Sequence, residues 1–422
     1  MKCNVVDGAI FKLYRKSKDV KILFLAKQTG VPGSVISDFE NSKRVIKVEN
    51  LIALYNAIGI EYAPSNESYD DLIQLIDRMI DELRYESKTR VTMDEVKQYE
   101  DKVRFNEGYF LFQYACLLTI VYHSEYCVQK VKKVHGAMKK QIISILDENM
   151  RFIPKKYQSL VYDTMGCACY GEQKWEESML YYKRGLELAC CDEDKAICLY
   201  HIGVQKSFNG EYYNGLELLK QSKRLMDDNL LYTRSLMCQM GIGLAYMHMG
   251  LYDEAEMLYL KCIRYTKNKV DLYDKLCSSC NNLLWMYISS KQYDKVIACE
   301  EEIMAIDSNN IDFLSCIGIA YYYQGNEGQA KYYLEKSIED EGQTSKIDKA
   351  LIEVFLTRLN RKRFREIDNK IRIAYDESIK GNELQMQIYI LELQIENMLE
   401  FDKLDTIHEA YALLNEKLML RK

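Results

Sequence analysis

The stretch Thr29–Arg44, TGVPGSVISDFENSKR, decides how this chain is read. Gly30 supplies a turn, and the residues after Pro32 have the spacing of a short helix that buries Val35 or Ile36 together with Phe39. Just upstream, VKILFLAKQ (20–28) has the pattern of another short helix. Two short helices joined by a Gly-containing turn form a helix-turn-helix unit. In that geometry the second helix lies in the major groove of DNA and its first residues meet base edges. Gly33 and Asp38 stand where such helices often carry basic or amide side chains, so a small helical domain of the same shape is the alternative reading.

The flanks complete a small domain. AIFKLYRKS (9–17) sets Ile10, Phe11, Leu13 and Tyr14 against Lys12, Arg15 and Lys16, and KVENLIALYNAIG (47–59) places Leu51, Leu54 and Ile58 on one face with Gly59 as a stop. Leu25-Ala26, Gly30-Val31, Ile36-Ser37, Phe39-Glu40-Asn41 and Lys43-Arg44 together resemble the Cro/repressor-type (XRE) helix-turn-helix family over roughly residues 6–62. The resemblance implies that Ala26 and Gly30 let the two helices cross closely, and that Ile36 and Phe39 fill the core. It further implies that Ser34, Val35, Ser37 and Asp38 face bases while Asn41, Lys43 and Arg44 contact phosphates. With no Arg or Gln at the helix start, base readout falls to serine hydroxyls, a valine methyl and Asp38 accepting from a cytosine amine. Affinity is therefore expected to rest mainly on phosphate contacts and dimer symmetry. One departure stands out. The second helix opens on Ile22-Leu23-Phe24 where a polar cap is usual, an apolar trio suited to docking on the body or on a second subunit.

Charge follows the same division. Residues 1–63 hold ten Lys/Arg against six Asp/Glu, net +4, which leaves −10 for the rest of a chain whose total is −6. A basic head on an acidic body suits a polyanion-binding module joined to something that avoids polyanions. Three prolines in 422 residues and apolar residues at every third or fourth position indicate an all-α protein. No apolar run is long enough to span a membrane. The N-terminus MKCNVVDGAIFKLYRK carries an acid and returns to basic residues too soon for a signal peptide, so a cytoplasmic protein is expected, with its fourteen cysteines reduced. Cys277 and Cys280 form a CxxC, but no second pair or histidine follows at ligand spacing.

Pro64 and the polar run PSNESYDD mark a boundary, with Ser65, Asn66 or Ser68 placed to cap the next helix. Long helices are expected at roughly 69–87, 92–122 and 126–149, the middle one buried all round its YFLFQYACLLTIVY segment. After Pro154 the chain repeats itself. DTMGCACYGEQKWEESMLYY, YHIGVQKSFNGEYYNGLELL, MGIGLAYMHMGLYDEAEMLY, NNLLWMYISSKQYDKVIACE and SCIGIAYYYQGNEGQAKYYL align in units starting near 159, 196, 236, 277 and 311, spaced by 37, 40, 41 and 34 residues. These units resemble the tetratricopeptide repeat, which implies a right-handed α-solenoid of helical hairpins. The family's small crossing positions are Gly166, Gly203, Gly243 and Gly318, with Leu284 breaking the rule in the fourth unit; Val296 and Ile303 break it there again. Bulk at a crossing pushes helices apart, so the fourth unit is expected to widen locally and serve as hinge or pocket wall, unless smaller neighbours compensate. The aromatic position opening each second helix reads Trp175, Tyr212, Tyr252 and Tyr293, then departs at Glu327, and the closing proline is missing throughout. Residues 346–422 read as one or two further hairpins forming a cap or a dimer seam, with Arg361, Lys362, Arg363 and Arg365 as a solvated basic face.

No phosphate loop, HExxH or GxSxG occurs, and the five histidines lack paired acids at helical spacing, so no enzyme, metal or cofactor is expected. In tetratricopeptide arrays the first helices line the groove that takes peptides. Carried over, that groove holds Tyr200, Met240, Leu244, Met247, Asn281, Trp285, Ile319 and Tyr322, with Asn281 able to pair with a peptide's N–H and C=O together. The expected organisation is a head (1–63), a linker helix (64–90), a leading hairpin (91–158), five repeats (159–345) and degenerate repeats (346–422). That order resembles the RRNPP-type peptide-responsive quorum-sensing regulators. It implies a homodimeric transcription regulator that binds double-stranded promoter DNA and answers to a short signalling peptide. Two alternatives stand beside it: a scaffold that sequesters a response regulator or other protein partner, and a phage-type repressor with a peptide switch.

Overall fold

The computed structural model describes residues 4–63, 68–123, 136–339 and 345–420. It is helical throughout; among the described residues the only β-pairing is an isolated bridge between Thr89 and His123. Two compact units form. The first holds Met1–Ala168 with Glu187–Cys190, the second Cys169–Leu186 with Cys191–Lys422.

The first unit opens with four short helices: α1 Val5–Ser17, α2 Ile22–Thr29, α3 Gly33–Glu40 and α4 Val48–Ala57. A capping box starts α1, where the Asp7 carboxylate takes the Asn4 N–H at 2.6 Å. The turn between α2 and α3 needs Gly30, which sits at φ +70° and sends its N–H back to the Ala26 carbonyl at 3.1 Å. Phe11, Leu25, Ile36, Phe39, Leu51 and Leu54 are fully buried between these helices. The closest approach is made by Gly8 of α1, where a methyl group would sit 2.7 Å from the Phe39 carbonyl carbon on α3. Of the apolar trio, Ile22 packs at the edge of this core, whereas Leu23 and Phe24 remain 68% and 46% exposed.

After Tyr62, α5 (Asp70–Glu86) begins with the Ser68 hydroxyl accepting the Asp70 N–H at 3.1 Å; Pro64, Ser65 and Asn66 lie outside the described residues. The single helix expected over 92–122 is instead three: α6 Met93–Lys97, α7 Glu100–Val103 and α8 Gly108–Tyr122. Asn106 makes the second break. Its side chain gives a hydrogen bond to the Lys102 carbonyl at 3.0 Å and accepts the Gly108 N–H at 2.9 Å, closing α7 and opening α8. The break turns Phe105 into the head, where it packs edge-on against Tyr55 and Tyr62, each at 5.2 Å, and beside Tyr14. Helix α8 is apolar and buried on nearly every side and packs on α9 Gly136–Asn149; the expected residues 126–135 of that helix lie outside the described residues.

Seven pairs of helices follow in chain order. They are α10 Lys155–Tyr170 with α11 Trp175–Glu187, α12 Asp192–Phe208 with α13 Tyr212–Asp228, and α14 Tyr232–His248 with α15 Tyr252–Thr266. Next come α16 Tyr273–Ser289 with the pair α17 Tyr293–Ala298 and α18 Glu300–Ile306, then α19 Ile311–Tyr323 with α20 Glu327–Ile338. Two more, α21 Lys346–Leu359 with α22 Phe364–Lys380 and α23 Leu384–Glu400 with α24 Leu404–Met419, complete the array. Trp175, Tyr212, Tyr252 and Tyr293 each begin a second helix. The small positions lie at crossings: a methyl on Gly215 would meet the Gly203 carbonyl at 2.8 Å, and one on Gly318 would meet Leu334 at 2.7 Å. In the fourth hairpin Leu284, Val296 and Ile303 fill those crossings, all buried, and there the second helix is interrupted at Cys299. Without a proline stop, α13 runs as long as its partner, 17 residues each.

Candidate functional site

The head offers one candidate surface. Ser34 is exposed at the start of α3, and Val35, Ser37 and Asp38 are half-exposed beside it, with Val35 also touching the core. Lys43 and Arg44 are exposed past the helix end. Asn41 is exposed but engaged: its amide donates to the Ser37 carbonyl at 2.9 Å and its oxygen accepts from Lys12 at 3.1 Å. Lys12 therefore joins Lys43 and Arg44 near the end of α3, a cation with no motif of its own in the sequence. Glu40, one residue earlier, is only 3% exposed and held by Arg15 through two hydrogen bonds, 2.5 and 2.8 Å, a bidentate pair that cancels its charge. Arg15 also donates to the Val20 carbonyl at 2.6 Å, so one guanidinium fixes α3, α1 and the turn before α2. The arrangement can present hydroxyls and cations to a polyanion from a rigid support.

The second unit holds a cavity of about 280 Å³. Every wall residue comes from the first helix of a hairpin or the residue just before it, in six successive hairpins from Phe208 at the end of α12 to Met386 on α23. The chain winds back on itself to make this enclosure. The Asn382 amide, in the turn before α23, bonds the Asn209 side chain at 2.5 Å in the turn after α12, and Gly210 at φ +87° leaves room for Leu384. Across the enclosure Trp285 packs edge-on to Tyr389 at 5.3 Å. The last hairpin thus helps close the pocket, a role beyond the expected cap.

Five of the eight residues placed in the groove by sequence line this cavity: Leu244, Met247, Asn281, Trp285 and Ile319. The other three do not. Met240 is 9% exposed and its sulfur accepts from the Ser279 hydroxyl at 3.0 Å, so it packs between hairpins. Tyr200 packs against Leu216 and Leu219 of its own hairpin's second helix and against α14, and sets its ring edge-on to His201 at 5.2 Å. Tyr322 sets its ring edge-on to Phe355 at 5.1 Å. All three lie on first helices, but the 3.6-residue rotation turns them toward a neighbouring helix. His248 is buried and lines the pocket, with Tyr212 and Phe208 against its ring.

One end of the cavity is acidic, and sequence reasoning missed it. Asp312 at the start of α19, Asp348 in the first turn of α21 and Glu383 just before α23 all line the wall. Asp312 lines the cavity and keeps open surface, and the surrounding protein together with the Asp348 charge pushes its carboxyl up to about 6. The same two causes raise Glu383 to about 7. Burial raises Asp348 too, against a hydrogen bond from the Ser345 hydroxyl. Among the described residues no lysine or arginine lines the cavity. Elsewhere in the array, burial pushes the Cys280 thiol of the CxxC up to about 12, so it stays a thiol at neutral pH. The basic run Arg361, Lys362, Arg363 and Arg365 is exposed to solvent.

The helix-turn-helix family matches residues 11–63 and the tetratricopeptide repeat family matches residues 235–270, in that order along the chain. No curated protein matches in sequence. Among solved structures, the chain is similar to a Rap protein crystallised with competence and sporulation factor, at TM-score 0.65 and 12% identity over 83% of this chain and 98% of that one. It is also similar to the apo form of the quorum sensor NprR from B. thuringiensis, at TM-score 0.60 and 12% identity over 83% of this chain and 99% of that one. At that identity the likeness is one of fold. A helix-turn-helix head followed by a tetratricopeptide array is the architecture of the RRNPP-type regulators that the sequence resembles. Among the described residues no helix is long and apolar enough to cross a membrane.

Proposed function

We propose that this protein is a transcription regulator that binds promoter DNA through α3 and is controlled by a short peptide held in the cavity of the second unit. The observation that carries the reading is the cavity wall, drawn from the first helices of six successive hairpins and mixing apolar residues with the paired amides of Asn281 and Asn282. That combination suits an extended peptide, whose backbone takes the amides and whose side chains take Trp285, Leu244 and Ile319. At the head, Ser34, Val35, Ser37 and Asp38 meet bases while Asn41, Lys43, Arg44 and Lys12 meet phosphates. Two copies bind together. The peptide favours one curvature of the array and so alters the spacing of the two heads.

DNA from upstream of the protein's own gene, titrated with the full-length chain across a salt series, tests the head. Binding should weaken steeply with salt, and Lys43→Ala or Arg44→Ala should each lower the slope by about 1 without changing sequence preference. Salt-independent binding, or slopes identical to wild type in both variants, would defeat the proposal for α3. Point variants are the right tool, because removing residues 1–63 would leave Phe105 without its aromatic partners.

A further inference from the structure

We propose that the cavity selects ligands bearing a cationic nitrogen, an arginine or lysine side chain or a free amino terminus, set beside apolar residues. Asp312, Asp348 and Glu383 take the cation while Trp285 and Ile319 hold its apolar neighbour. This rests on the ligand-pocket reading above and adds the chemistry of the ligand to it.

Three carboxylates on an open surface would mean little. Here they are walled into a cavity on three separate hairpins, and Asp348 bears electrostatically on the other two. Among the described residues the compensation normally found for such a group is absent: the polar contact to their side chains is the Ser345 hydroxyl on Asp348, and none of the three has an ion-pair partner. Nor, among the described residues, does any lysine or arginine share the wall. The protein elsewhere pairs its enclosed charges: Glu40 with Arg15, and Arg358 with Glu396 and the Leu393 carbonyl. A cation arriving in the cavity would relieve repulsion among the three carboxylates and gain their attraction. An anion would meet the reverse. The same wall also carries Leu244, Met247 and Ile319, which makes the ligand mixed in character and excludes a bare inorganic cation as the best fit.

The test uses the full-length protein and pools of N-acetylated, C-amidated pentapeptides randomised at four positions, the central one fixed as arginine, citrulline or glutamate. Citrulline keeps the shape of arginine and removes its charge. A fourth pool has central citrulline and a free amino terminus. Near pH 7.5 calorimetric titration should show the arginine pool, the free-terminus pool, or both binding about tenfold or more tightly than acetylated citrulline, with glutamate weakest. The stronger of the two assigns the cation to side chain or terminus. In Asp312→Asn/Glu383→Gln the preference should drop below about threefold, with a wild-type circular-dichroism spectrum showing that the variant is folded. Equal binding of arginine, free-terminus and acetylated citrulline pools by the wild type would overturn the charge preference and leave the peptide reading standing. Failure of every pool to bind would overturn both.

Discussion

Glu40 and Asp312 are both carboxylates set among other protein groups, and the two regions treat them in opposite ways. In the head, Glu40 is buried and gripped by Arg15, so its charge is spent on holding three segments in place. In the array, Asp312 shares a cavity with two more acids and, among the described residues, no cation, and its carboxyl is driven up to about 6. A satisfied buried ion pair adds rigidity and leaves nothing to offer. An unsatisfied set keeps the folded state under mild strain and leaves its interaction energy for something that binds. The difference separates a structural charge from a functional one without reference to either motif.

The sharpest way to break the comparison is to remove one partner in the head. Arg15→Ala should destabilise the head by about 3–5 kcal/mol, because Glu40 would be left buried and alone. Urea denaturation and hydrogen exchange over residues 5–60 would measure it, and Arg15→Met/Glu40→Leu should cost distinctly less than the single change. A single change as mild as the double would mean that Glu40 is not truly enclosed. Next, Gly8→Ala should cost about 1–3 kcal/mol in the same measurements, since the added methyl runs into the Phe39 backbone and not into a side chain that can move aside.

The smallest effect lies in the pocket and has the opposite sign. Asp312 and Glu383 have folded-state pKa values raised above their ordinary ones, so their contribution is fully present below about pH 4 and is lost as pH rises through 6 and 7. Wild type should therefore melt slightly higher at pH 5.5 than at 7.5 from these groups, by something on the order of 2 °C. Asp312→Asn/Glu383→Gln should flatten that dependence and melt above wild type at pH 7.5. A steeper dependence in the variant would mean the three acids are already compensated.

The repeat frame was legible because it is written locally. Trp175, Tyr212, Tyr252 and Tyr293 recur at the same place in each unit and each opens a helix. The bulk of Leu284, Val296 and Ile303 was legible too, and coincides with a second helix interrupted at Cys299. What stayed hidden was long-range. Asp312, Asp348 and Glu383 carry no motif and stand in three different hairpins; only the winding of the array brings them to one wall. Met240, Tyr200 and Tyr322 were placed in the groove by register along a helix, a rule that fixes the helix but not which of its inward positions a neighbour covers. Phe105 was hidden inside a stretch whose apolar period continues smoothly across a break made by one asparagine side chain.

That phenylalanine also sets a schedule. A head of about sixty residues would ordinarily be able to finish folding as soon as it left the ribosome. Here the ring cluster of Tyr14, Tyr55 and Tyr62 is completed by a residue made about forty positions later. At roughly 5–20 residues per second, the nascent head waits for several seconds with its aromatic seam open, in need of either intrinsic solubility or a chaperone.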